Sequence, residues 1–175
     1  MKKLSLSELN RITPEEYKRS NKTPIIVILD NIRSMHNIGS VFRTADAFIL
    51  EKIYLCGITA TPPNKEIHKT ALGATDTVDW EYVEDVSTLV NSLKEKHIRC
   101  YLIEQTDQSV LLQDFHPSQG EKIAIIFGNE VFGISDSVLP LADGAIEIPQ
   151  LGTKHSLNIS VAAGITIWDI FNKIK

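Results

Sequence analysis

Cysteine is scarce: only Cys56 and Cys100 occur in 175 residues. They lie far apart, each inside an apolar run, and form neither a disulfide framework nor a metal motif. They read as buried free thiols. The five histidines show no ligand spacing such as HExxH, so no metal is expected. Long apolar runs are also missing. No stretch of about eighteen apolar residues is present, so a spanning helix is not indicated. The start, MKKLSLSELN, has no apolar segment of the kind a secretory signal carries, and a cytoplasmic location is expected. Neither GxGxxG nor GxxxxGK[ST] occurs, so loops that cradle nucleotide phosphates are unsupported. Positive charge is short as well. A net charge of −4 and a pI near 5.7 argue against a generally basic nucleic-acid binder.

What is present is an ordinary globular composition, 43% hydrophobic and 23% charged, at a length that suits one domain with a sizeable core. Pro24 opens IIVILDNI, a continuous apolar run rich in β-branched residues, which fits a strand buried on both faces. Similar runs follow at Ile53–Leu55, Arg99–Ile103, Ile123–Phe127 and Ala145–Ile148. Between them lie helical patterns. Ile38, Val41, Phe42, Ala45, Phe48 and Ile49 follow one helix face. At 100° per residue Arg43 falls roughly 140° from Ile38, away from that face. Asp85 to Lys96 reads as an amphipathic helix with Val86, Leu89, Val90 and Leu93 inward. Short helices are expected at Ala71–Ala74 and near Ser135–Leu139. From Ser156 to Phe171 the chain reads as a helix that is apolar almost all round. Strands alternating with helices imply an α/β fold, a mostly parallel sheet with helices on both faces.

Before Pro24, Lys2, Lys3, Arg11, Lys18, Arg19 and Lys22 outnumber Glu8, Glu15 and Glu16. Thr13-Pro14-Glu15-Glu16 is a helix start. Residues 1–23 therefore read as an N-terminal helical arm ahead of a domain at 24–175. The arm is either a solvated extension or a local basic patch for phosphates.

Three stretches carry a resemblance. NIGSVFRTADAF (Asn37–Phe48), IFGNEVFGIS (Ile126–Ser135) and IPQLGTKHSLNISVAAG (Ile148–Gly164) resemble, in order, the motifs of the SpoU (TrmH-like) RNA 2'-O-ribose methyltransferases of the SPOUT superfamily. KTALGA and the turn at Glu104-Gln105-Thr106 are similar to further family stretches. The resemblance implies a C-terminal deep trefoil knot, S-adenosylmethionine as cofactor, and RNA as partner; tRNA is expected in preference to rRNA because the compact single-domain form has no extra recognition domain. It also implies a homodimer through the C-terminal helix, where Ile165, Trp168 and Phe171 seek cover. The absent phosphate loop agrees with such a cofactor, which carries no phosphate.

The same resemblance names the site. Arg43 and Asn37 of the first motif are the expected catalytic residues, with Glu130, Ser156 and Asn158 beside them. Glu104, Gly128, Ile148 and Leu157 are expected to hold the cofactor. A guanidinium is a poor general base, so Arg43 is read as a phosphate clamp that also stabilises the developing alkoxide. Read without the family, Arg43 is a solvated surface residue, Ser156 and Asn158 are helix caps, and Glu130 is an acid at a helix start. The glycines are then plain turn residues. The motif 3 position of Gln150 commonly holds an apolar residue in the family. Two other functions stay open: a knotted RNA-binding protein without catalysis, and a doubly wound enzyme using a nucleotide.

Overall fold

The strand that begins at Thr23 sits at the middle of the molecule because both of its faces are apolar. In the computed structural model, which describes residues 1–5 and 7–174, β1 spans Thr23–Asp30 and pairs in parallel with β2 (Leu50–Cys56) and β6 (Ile123–Phe127). The other strands are β3 (Trp80–Val83), β4 (Arg99–Ile103), β5 (Val110–Leu111) and β7 (Gly144–Glu147). The sheet order is β3-β2-β1-β6-β4-β7-β5, and every pairing is parallel. Leu6 and Lys175, the first within the expected arm and the second closing the expected domain, lie outside the described residues.

Alternation along β1 divides the core in two. Ile25, Val27 and Leu29 pack with Phe42, Ile67 and Ile167 on one face. Ile26 and Ile28 pack with Leu89, Val90 and Leu93 on the other. The first face is covered by α2 (Met35–Ala47), α3 (Lys65–Ala71) and α6 (Ile159–Ile174), the second by α5 (Val86–Glu95). Phe42 is wholly buried, and truncating such a ring to alanine typically removes about 3–5 kcal/mol of stability. Cys56 and Cys100 are buried free thiols, each pushed up to about 12 chiefly by burial.

The N-terminal segment is tied to this core. Thr13 Oγ1 accepts from the Glu16 N–H at 3.2 Å, and Glu16 Oε2 accepts from the Thr13 N–H at 2.7 Å. This reciprocal cap starts α1 (Pro14–Arg19), whose Tyr17 is buried with the first-face residues.

Some elements differ from the sequence reading. β3 and β5 were not anticipated: each pairs on one side only and is largely exposed, so neither carries an apolar run. The helix expected at Ala71–Ala74 instead runs Lys65–Ala71, because Asn64 Oδ1 accepts from the Glu66 and Ile67 N–H groups at 2.9 and 3.3 Å. Ala74–Thr77 forms a separate turn, α4. No helix forms at Ser135–Leu139; a 3-10 turn follows at Leu139–Leu141. There the Ser135 N–H is committed to Asp30 at 2.8 Å, and Pro140 disfavours a helical residue before it. The last helix begins at Ile159 rather than Ser156, since Asn158 is its cap.

Candidate functional site

Parallel strands all present their carboxyl ends on one side, and a ligand site in an open sheet forms among the loops there. β6 ends at Phe127 and β7 at Glu147. The loops after β4, β6 and β7 enclose a cavity of about 560 Å³. That size falls in the range of small-molecule sites.

All four expected cofactor residues line this cavity: Glu104, Gly128, Ile148 and Leu157. Glu130, Ser156 and Asn158 line it too. The backbone N–H groups of Ile148 and Leu157 make no hydrogen bond with a described residue, so both are available to a ligand. Of the charged side chains on the wall, Glu104, Glu130 and Glu147 are acidic, and His155 stands alone as a titratable base. Such a wall suits a ligand with positive charge and disfavours a polyphosphate.

Asn37 and Asn158 come from opposite ends of the sequence and meet here. Asn158 Nδ2 donates to Asn37 Oδ1 at 3.2 Å, and Asn37 Nδ2 donates to Glu130 Oε1 at 3.2 Å. Glu130 also accepts from the Arg33 and Ser34 N–H groups, each at 3.0 Å. Ser34 in turn caps α2 by accepting from the Asn37 N–H at 3.3 Å. Partial burial works to raise the Glu130 carboxyl. The N–H groups of Arg33, Glu130 itself and Ser34, with the Asn37 amide, outweigh it and hold the group below the usual carboxylate range. At the other end of the network Asn158 Oδ1 accepts from the Ser160 N–H at 2.9 Å and starts α6. The cap reading of Asn158 is borne out through Oδ1, while Nδ2 of the same side chain is the atom bonded to Asn37.

Arg43 is placed differently. It projects from α2, exposed, as the helix geometry requires, and it does not line the cavity of its own chain. Its side chain makes no hydrogen bond or ion pair with a described residue.

The glycines divide. A Cβ on Gly128 would lie 2.3 Å from Gly133 C and Ile134 N, so close approach is required, though to the chain's own turn. Gly133 has φ 71°, which glycine adopts without strain. At Gly152, in the loop after β7, an added Cβ meets nothing within 4 Å and φ is not positive, so nothing in the backbone requires glycine there.

Residues missed from the sequence hold the turn itself. Asn129 Oδ1 accepts from the Val131 and Phe132 N–H groups at 2.9 and 3.1 Å, and its Nδ2 donates to Asn31 O at 2.7 Å. Buried Asp30 accepts from the Ser135 N–H and, at 2.8 Å, from Asn31 Nδ2. A carboxylate closing an otherwise apolar strand was the available signal. Among the described residues no group of three or more His, Cys, Asp or Glu could hold a metal, and no helix is long and apolar enough to cross a membrane.

Fold and cavity together define an α/β protein with a ligand site at the carboxyl ends of a parallel sheet. The chain belongs to the SpoU rRNA Methylase family, which it matches over residues 24–168. It is 31% identical over 164 residues to the tRNA (guanosine(18)-2'-O)-methyltransferase of Thermus thermophilus, covering 93% of this chain and 82% of the relative. The crystal structure of the A. aeolicus TrmH/SpoU tRNA modifying enzyme superposes with a TM-score of 0.79 at 25% identity, over 91% of this chain and 79% of that one. An AdoMet-bound rRNA methyltransferase from Sinorhizobium meliloti shares the fold, with a TM-score of 0.78 at 23% identity, over 91% of this chain and 60% of that longer one.

Proposed function

We propose that this protein transfers a methyl group from S-adenosylmethionine to a ribose 2'-hydroxyl of RNA, tRNA in preference to rRNA. One observation carries the reading. Asn37, Glu130 and Asn158, from three distant motifs, are joined by hydrogen bonds: Glu130 and Asn158 line one cavity, and Asn37 lies buried behind it, bonded to both. Membership of the SpoU family supports the chemistry. The acidic wall and the unengaged N–H groups of Ile148 and Leu157 fit a cationic, phosphate-free cofactor.

Glu104, Gly128, Ile148 and Leu157 would hold that cofactor. When bound, it supplies a methyl group on a sulfonium sulfur, open to attack by an oxygen. Asn37 and Asn158, locked to each other and to Glu130, present fixed polar groups that orient the ribose. Ser156, on the wall beside them, is free to bond the hydroxyl. Glu130 accepts hydrogen bonds from three donors, is held below the usual carboxylate range, and acts by positioning the start of α2. Arg43 clamps the neighbouring phosphate and stabilises the charge that develops on the sugar oxygen.

Since Arg43 lies outside its own chain's cavity, the active form is a homodimer in which Arg43 reaches the cavity of the second copy. Val161, Ile165 and Trp168 form an exposed apolar stripe along α6, with Phe48 5.9 Å from the Trp168 ring, and this stripe is the dimer face. β7 inserts between β4 and β5 in the sheet, and the chain from Pro149 to Asn158 then passes back among the loops of the cavity. This path supports the deep trefoil knot. Residues 1–23 form the arm and 24–175 the methyltransferase domain, a division the family match from residue 24 supports. We read its location as cytoplasmic, in keeping with an RNA substrate and with the bacterial relatives.

The test is transfer of labelled methyl from S-adenosylmethionine to bulk tRNA and rRNA, with 2'-O-methyl sites mapped afterwards. Calorimetric binding of the cofactor without transfer to either RNA would leave the protein a knotted RNA binder without catalysis. Trp168→Asp should give a monomer by ultracentrifugation and lose transfer with it.

A further inference from the structure

A second cavity, of about 580 Å³, lies across the turn that forms one wall of the first. The two share Asn129, Phe132 and Gly133. We propose that this second cavity takes the base of the nucleotide whose ribose is methylated, a guanine, stacked on Phe132 and read by Asp136, with a backbone phosphate on Arg33. The proposal rests on the methyl-transfer reading above for what sits next door, and on the following observations for itself.

Phe132 is 84% exposed and Ile58 67% exposed, large apolar groups that the core does not use. The ring is nonetheless not on a loose loop. Both turn N–H groups are held by Asn129 Oδ1, and Asn129 and Gly133 exchange backbone hydrogen bonds at 2.8 and 2.9 Å. The floor is fixed as well. Asn31 Nδ2 donates to Asp30 Oδ1 and to Ser135 Oγ at 2.8 and 3.2 Å, and Asn31 Oδ1 accepts from the Ile58 N–H at 3.1 Å. A rigid, exposed aromatic face beside a catalytic cavity is the usual platform for a base splayed out of an RNA strand.

The charges in this cavity are the second observation. Arg33 and Asp136 both line it, and neither side chain makes a hydrogen bond or ion pair with a described residue. A guanidinium left open offers two parallel donors to a phosphate. An open carboxylate accepts two adjacent N–H donors, and among the four bases only guanine presents such a pair, N1–H and N2–H, on its pairing edge. Because the two cavities share one wall, a base in the second sets its own ribose over that wall, toward Glu130 and Asn158 of the first.

The experiment uses the full chain. NMR titration with GMP, IMP and UMP follows the ring resonances of Phe132; IMP lacks the 2-amino group. GMP should shift the ring at lower concentration than IMP or UMP, and Asp136→Asn should remove the advantage over IMP. With bulk tRNA, Phe132→Ala should weaken binding between about fivefold and a hundredfold, as loss of one stacked base does. Arg33→Gln should lower the slope of log affinity against log salt by about one. Cofactor affinity of each variant, measured by calorimetry, should stay at the wild-type value for Arg33→Gln and Asp136→Asn. GMP that leaves Phe132 unmoved, or wild-type tRNA affinity and salt slope in both Phe132→Ala and Arg33→Gln, would overturn the proposal. Failure of the wild-type protein to bind S-adenosylmethionine would instead strike the reading of the first cavity, since the nucleotide titration is independent of it.

Discussion

Two positions of α2, its first turn and its middle, are built from one motif and are treated oppositely by the fold. At the first turn Asn37 is buried and bonded to Glu130 and Asn158, so three motifs hold it in one rotamer. Six residues on, Arg43 is exposed, its side chain with no bond to any described residue. The first is satisfied within a single chain, whereas the second is left open to whatever binds from outside. A group locked by the chain itself contributes to stability; a group left open contributes nothing to it.

Four changes sharpen or break that contrast. Arg43→Ala should reduce methyl transfer to RNA by a factor of about 10²–10³, the scale for one lost donor to a developing oxyanion. Its unfolding free energy should stay within about 0.5 kcal/mol of wild type, and calorimetry should find cofactor affinity unchanged. Undiminished transfer would remove Arg43 from the chemistry. Glu130→Ala should show the opposite pattern, a loss of about 1–3 kcal/mol in urea unfolding, because the Arg33 and Ser34 N–H groups lose their acceptor. Wild-type stability there would mean the network is decorative. Asn158→Ala removes both the bond to Asn37 and the cap of α6, and should destabilise by about 1 kcal/mol. The smallest effect is on pH. The folded Glu130 carboxyl lies below its ordinary value near 4.5. It therefore stabilises the fold above that value and ceases to as acid titrates it through the lowered one. The stability gap between wild type and Glu130→Gln should hold steady above about pH 5 and close below pH 4.5. A gap that widens in acid would contradict the assignment.

Much of this was legible in the residues. Strands buried on both faces announce themselves as unbroken apolar runs, and β4 and β6 fall at the expected Arg99–Ile103 and Ile123–Phe127. The edge strands β3 and β5 do not, because half their surface faces water and Trp80–Val83 alternates no more clearly than a loop. Arg43 was placed on the outer face by helix periodicity alone. Asn31 was missed because its bonds, to the Ile58 N–H and to Ser135 Oγ, reach segments far away in the sequence, and no local pattern marks that.

By itself the amino-acid sequence determined the class of fold, since periodicity is a local property that each segment carries alone. It also determined which residues carry the family's motifs. Only the tertiary structure decided which of those residues touch. Hydrogen bonds reach about 3 Å, and a separation of 121 residues between Asn37 and Asn158 closes to 3.2 Å only once the sheet has brought its carboxyl ends together. That same closure leaves Arg43 outside.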